Sequence, residues 1–315
     1  MNRKALVTGA TGFVGSHVAE SFAAAGYDLR CTVRSSSDPK WLRDLEPELF
    51  ELDLSLAADY AGAVEGVDTV IHSGGITRAR TDGEYLRVNA DATERLAAAA
   101  ADAGVRRFVF ISSIAARGPD GRHGPTSAYG ESKVVAEDRL RDIADSMPVV
   151  VLRPAGVYGP RDSDLLPLFK MAKHGLLAAP AGSALLQPVY ATDVASAALQ
   201  AAEVDSGFGP FPVAERGKYA WRDVARMMEE AVGRKIRMLA IPTPIFESTG
   251  LVSEVVAKLL GKAPELDRRR AQDLARYAWT TDIATTERAL DWIPAVPLRE
   301  GLALTAKWYR SVGWL

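Results

Sequence analysis

Three observations predict an α/β fold, a doubly wound parallel sheet with helices on both faces. Short apolar runs alternate with helical segments through the first half of the chain; a glycine turn joins the first run to the first helix; and the helices stop at glycines or before a proline. Runs that are apolar on both faces suit strands covered by helices on each side. The candidate strands are KALVT (4–8), LRCTV (29–33), LFELD (49–53), DTVIHS (68–73), RFVFIS (107–112) and PVVVLR (148–153). Between the first two, Val14, Val18 and Phe22 recur at helical spacing and Gly26 supplies the stop. Further helices are expected at about 85–103, ending at Gly104, and 127–146, capped by Ser127 and ending before Pro148.

After about residue 155 prolines become frequent and the regular alternation stops. VYATDVASAALQAA (189–202) reads as a strand running into a helix capped by Thr192 or Asp193. A helix near 219–232 ends at Gly233, and another covers about 298–311. The expected division is a dinucleotide-binding Rossmann unit over 1–160, with 187–204 folding back onto it. A smaller mixed substrate lobe over 161–315 then covers the carboxyl edge of the sheet, where such sheets bind ligands.

Composition narrows the function. The 315 residues are 48% apolar and 25% charged with a net charge of −2, ordinary for a soluble globular chain and without the basic excess of a nucleic-acid binder. A lone cysteine, Cys31, excludes an internal disulfide and suits a reducing cytoplasm. The histidines at 17, 72, 123 and 174 are scattered, so no metal is expected; His72 and Cys31 read as core residues. The N-terminus reads as strand and turn rather than a signal peptide, and no eighteen-residue apolar run spans a bilayer. Residues 240–261 come nearest and are read as packed core helices; the RRR at 268–270 reads as a solvated helix face.

The first strand runs into TGATGFVGSH, with Gly9, Gly12 and Gly15 ahead of an amphipathic helix. Glycines there let the backbone approach a pyrophosphate, and the helix N-terminus offers free N–H groups and the positive end of its dipole. Nineteen residues after Gly15, where an acid would bind a ribose 2′-hydroxyl, stands Arg34. An arginine flanked by hydroxyls attracts a 2′-phosphate instead, so NADP is the expected cofactor and NAD the second candidate. Asp53 either accepts from the adenine amino group or caps the turn after it. Tyr129 and Lys133 lie four apart on one helix face, where a lysine can lower a tyrosine's pKa. On spacing alone the two are equally a surface pair.

Taken together, TGATGFVG, DL at 53–54, VIHSGG, VNADAT, FVFISS, YGESK, LRPAGVYGP and the closing REGLALTAKWYR resemble, in order and over nearly the whole chain, the extended short-chain dehydrogenase/reductases, also called the NAD-dependent epimerase/dehydratase family. The resemblance implies a catalytic set of Ser113, Tyr129 and Lys133. Tyr129 would exchange a proton with the substrate oxygen, Lys133 would favour the phenolate and bond the nicotinamide ribose, and Ser113 would hold the substrate oxygen. It also implies cofactor contacts from Thr11, Phe13, Leu54, Ser73 and Gly74, with Pro154 and Val157 backing the nicotinamide. Asn89 matches a family asparagine, but capping of the following helix is the preferred reading. The family often dimerises through helices matching 85–103 and 127–146, so a homodimer is one option.

Departures from sub-family patterns select the chemistry. Ile114 and Ala115 stand where 4,6-dehydratases carry Asp-Glu, and Gly156 replaces the asparagine by which many epimerases bind a nucleotide sugar. LRPAGVYGP, Arg34 and the 241–266 region resemble the dihydroflavonol-reductase and 3β-hydroxysteroid-dehydrogenase branch. The expected activity is therefore NADP-dependent interconversion of a secondary alcohol and a ketone or aldehyde on a largely apolar small molecule. That molecule would lie against the leucine-rich segment 163–190. An NAD-dependent nucleotide-sugar epimerase and a non-catalytic dinucleotide sensor are the alternatives.

Overall fold

The computed structural model describes residues 3–55, 58–119, 121, 124–182, 184–205, 207–259, 263 and 268–315. His123 and residues 265–267 lie outside them, as does part of the 241–266 region. The first six strands are β1 (Lys4–Thr8), β2 (Asp28–Val33), β3 (Glu48–Glu51), β4 (Thr69–His72), β5 (Arg107–Ile111) and β6 (Val149–Pro154). Four short strands follow, β7 (Val157–Tyr158), β8 (Leu176–Pro180), β9 (Leu185–Leu186) and β10 (Val189–Tyr190), then β11 (Phe211–Val213), β12 (Tyr219–Ala220) and β13 (Arg237–Ile241). The helices are α1 (Phe13–Ala24), α2 (Tyr60–Val64), α3 (Asp82–Leu86), α4 (Ala92–Asp102), α5 (Ala128–Ile143), α6 (Leu166–Lys173), α7 (Ala191–Glu203), α8 (Trp221–Val232), α9 (Thr243–Leu259), α10 (Arg268–Arg276), α11 (Ala284–Leu290) and α12 (Leu298–Ser311).

Seven strands form one wholly parallel sheet in the order β11-β6-β5-β4-β1-β2-β3. The pleat of β1 sorts its side chains: Ala5 and Val7 pack with α1 and α7 on one face, Leu6 with α4 and α5 on the other, all fully buried. The chain works outward from β1 to β3 and then returns to β4, so strand order reverses between β1 and β4. Ligands of doubly wound sheets bind at such a crevice.

A third apolar cluster, around Tyr158, Phe169, Leu177, Met228, Leu302 and Tyr309, fills a smaller lobe built from α6, α8 and α12. Within the stretch expected to form that lobe, 211–213 and 283–292 pack on the main sheet, β11 as its edge strand against β6. Three residues with proline in the middle carry little strand signal, which is why β11 escapes the sequence.

Other expectations change in detail. The helix expected at 85–103 starts at Asp82, capped by Thr81, and passes through a π-helical turn at Arg87–Asp91. Asn89 sits inside that turn and caps nothing. Neither Thr192 nor Asp193 caps α7, whose N-cap is Tyr190. Asp193 is instead buried in the first turn and accepts from the N–H groups of Ala295 and Val296 at 3.0 and 3.1 Å. Of the stretch 240–261, read as packed core helices, residues 260–261 lie outside the described residues, and α9 turns Ile245, Leu251 and Val252 outward rather than into a core.

Candidate active site

Gly9 ends β1 in the left-handed region, φ 66°, and a Cβ there would meet Gly74 Cα at 2.9 Å. The loops after β1 and β4 thus touch backbone to backbone, which glycine alone permits. At Gly15 a Cβ would lie 2.2 Å from the Gly9 carbonyl oxygen, so α1 presses against the turn. Gly12 is the N-cap of α1 and provides no side-chain cap, leaving the first N–H groups of the helix for a ligand. This cradle fits a dinucleotide pyrophosphate between Gly9, Thr11, Gly12 and Phe13.

Arg34 is exposed just beyond β2 and lies close enough to Asp53 to help lower its pKa, after the larger effect of Ser55. The Asp53 carboxylate accepts from the Ser55 N–H at 2.9 Å and hydroxyl at 2.7 Å, so it caps its own turn. Leu54 packs toward Gly74, where a Cβ would meet its Cδ1 at 2.7 Å. Beneath them His72 is fully buried. Thr93 donates to the Asn89 carbonyl, so His72 Nε2–H donates to Thr93 at 2.9 Å and Nδ1 accepts from Thr8 at 2.6 Å. Thr8 in turn accepts from Gly74 N–H at 3.0 Å. Burial and then the nearby Lys133 charge push the His72 pKa down to about 3. It is a neutral core residue tying β1, β4 and the first turn of α4 together.

A cleft of about 1200 Å³ opens beyond these strand ends. Ser113, Tyr129 and Lys133 all line it, as do Phe13, Ser73, Pro154 and Val157. Ser113 arrives from the end of β5 and accepts from Ala115 N–H at 3.1 Å, fixing its rotamer. Tyr129 opens α5 beside the Ser127 cap and meets Tyr85 edge-on at 6.1 Å between ring centres. Lys133, one turn on, is buried, donates to the Ile111 carbonyl at 3.2 Å and lies 4.7 Å from the Phe110 ring centre. Burial lowers its pKa to about 8 against the opposing effect of Glu137.

Two residues hold this set, Glu137, which the sequence reading missed, and Asn89, which it took for a helix cap. Glu137, one turn beyond Lys133, is buried, receives the forked guanidinium of Arg153 and accepts from Ser112. Asn89 clamps the loop after β4 to α5: it accepts from Ile76 N–H at 2.8 Å and donates to Ser132 Oγ at 3.0 Å. Spacing four from Lys133 was the available signal for Glu137; Asn89 had none apart from the resemblance.

The far wall of the cleft is largely apolar. Of the large apolar residues in 163–190, Leu165, Leu168 and Leu186 line it, whereas Phe169 and Leu177 belong to the lobe's core and Leu176 and Leu185 face outward. Trp221, Leu274 and Trp279, from outside that segment, complete the wall. Gly156 also lines the cleft, with open space where a side chain would project.

A family model described as "NAD dependent epimerase/dehydratase family" matches residues 5–211. The ceramide reductase of Caulobacter vibrioides is 30% identical over 312 residues, covering 98% of this chain and 95% of that protein. The UDP-glucose 4-epimerase of Vibrio cholerae is 27% identical over 334 residues, covering 98% and 95%. The crystal structure of gox2253 superimposes with a TM-score of 0.79 at 26% identity, covering both chains completely. The parallel sheet and its glycine turn are those of a dinucleotide-binding Rossmann fold. The chain belongs to the NAD-dependent epimerase/dehydratase family, the extended short-chain dehydrogenase/reductases.

Proposed function

We propose that the protein is an NADP-dependent oxidoreductase that interconverts a secondary alcohol and a ketone or aldehyde on a largely apolar small molecule. One observation carries this reading: Ser113, Tyr129 and the buried Lys133 share a cleft with a wall of leucine and tryptophan and with no side chain at position 156. The nicotinamide, when bound, supplies or accepts hydride. Tyr129 exchanges the matching proton at the substrate oxygen, Ser113 donates a hydrogen bond to that oxygen, and Lys133 stabilises the phenolate by its charge. Arg34 holds the 2′-phosphate of NADP, and the glycine cradle holds the pyrophosphate. The likeness to a ceramide reductase supports an apolar substrate; the likeness to a UDP-glucose 4-epimerase supports the epimerase reading.

A thermal-shift and NADPH-oxidation screen separates them, comparing long-chain and polycyclic ketones with UDP- and GDP-sugars. Turnover of an apolar ketone, with no stabilisation by a nucleotide sugar, is the expected result. Stabilisation by a nucleotide sugar and by no apolar ligand would replace this reading with the epimerase.

A further inference from the structure

Helix α9 presents a face on which Ile245, Leu251 and Val252 are 57%, 49% and 61% exposed, with the uncharged Ser248 and Thr249 between them. Its two glutamates turn away toward α10: Glu247 pairs with Arg276, and Glu254 accepts from the Arg268 N–H at 2.7 Å. The strand preceding this helix, β13, carries exposed apolar residues of its own. The register opposite β8 puts Leu239 on the same outer face as Leu176, and both are exposed.

At the start of this two-stranded sheet Lys173, Arg234, Lys235 and Arg237, all exposed, gather around Gly175. Arg234 donates to the Lys173 carbonyl at 3.3 Å and Arg237 N–H to the Gly175 carbonyl at 2.9 Å. Glu229 lies 3.7 Å from Lys235. Four cations next to the exposed Leu176 and Leu239, with α9 following at the other end of β13, are a local feature in a chain whose net charge is −2. That combination matches an interfacial helix on anionic lipid: apolar side chains enter the acyl boundary while cations meet headgroup phosphates. No helix among the described residues is long and apolar enough to cross a membrane, so the contact is peripheral.

We propose that α9 and β13 dock the protein on an anionic phospholipid bilayer. Ala257 and Glu254 of the same helix line the cleft, with Arg269 and Leu274 of α10, so docking places the cleft wall beside the lipid.

Flotation of the purified full chain with phosphatidylcholine–phosphatidylglycerol vesicles tests this, against phosphatidylcholine alone. The protein should float with the anionic vesicles, and the double variant Ile245→Glu/Val252→Glu should partition at least about tenfold less. Lys235→Glu/Arg237→Glu or raised salt should weaken binding as well. The substituted side chains are exposed, so thermal unfolding of the variants should match wild type. Wild type left unfloated by anionic vesicles, or a double variant that floats equally well, overturns the proposal. So does a wild type that ignores vesicles while the double variant changes its oligomeric state, because the face then covers a second copy. Flotation needs no turnover, so its failure leaves the Tyr129 chemistry standing, and the reverse.

Discussion

The Ser112 hydroxyl donates to the Glu137 carboxylate at 2.5 Å, joining the strand end that carries Ser113 to the helix that carries Lys133. Arg153, one residue before Pro154, forks onto the same carboxylate. One buried anion therefore fixes the relative positions of three segments of the cleft. Glu137→Gln keeps the shape and removes the charge, leaving Arg153 mostly buried without its partner. Breaking a buried pair from one side costs about 3 kcal/mol or more, to be read from urea unfolding. Loss of that anion should also lower the Lys133 pKa further. An unchanged stability would show that Arg153 finds another acceptor.

The acid–base behaviour of Lys133 gives the pH prediction. A free lysine titrates near 10.5, and burial brings this one to about 8. Between pH 8 and 10.5 the unfolded chain holds a proton that the folded chain has lost. Folding stability therefore rises with pH across that window, and below pH 8 the full cost of burying the charge is carried. Activity runs the opposite way, because the phenolate is favoured only while Lys133 is charged. The kcat/KM of the free enzyme should fall above about pH 8 along a single-proton limb, and in Glu137→Gln that limb should move to lower pH. A profile flat to pH 10 would remove Lys133 from the titration.

How far the sequence foretold this arrangement depended on the range of the interactions. β1, its glycine turn and α1 were legible because a short apolar run, closely spaced glycines and helical spacing are local signals. Tyr129 and Lys133 were visible as an i,i+4 pair, and the ordered motifs supplied Ser113. What escaped was long-range. β11 is three residues whose strand character comes from pairing with β6. Trp221 and Leu274 reach the cleft only through the packing of the lobe. The outward face of α9 looks, as a sequence, like a core helix, since an apolar stripe does not say what covers it.

Cofactor preference should rest on Arg34. Its guanidinium is exposed at the end of β2 and close to Asp53, whose carboxylate is already engaged by Ser55. A charge-assisted pair with a 2′-phosphate at an exposed position belongs at the low end of such interactions, roughly tenfold in affinity. Arg34→Asp should abolish the NADP(H) preference and leave NAD(H) binding close to wild type. Calorimetric titration of both cofactors into both proteins is the measurement. Equal wild-type affinities would assign the preference elsewhere or remove it.

Tyr129 carries the proton in the proposed chemistry, and its surroundings make a clean substitution feasible. The ring lies at the first turn of α5 against Tyr85, with the helix start held separately by Ser127, whose Oγ accepts from Gly130 N–H at 3.2 Å. Tyr129→Phe retains the ring contact and removes only the hydroxyl, so fold and cofactor cradle should be unaffected. A positioned acid–base group contributes about 10²–10⁴-fold, and kcat should fall by that much while the cofactor Kd stays within about twofold. Losing kcat with KM nearly constant would place the hydroxyl at the reacting oxygen rather than in ground-state binding. A variant that kept most of its kcat would require another proton donor in the cleft, and Ser113 would be the first to substitute.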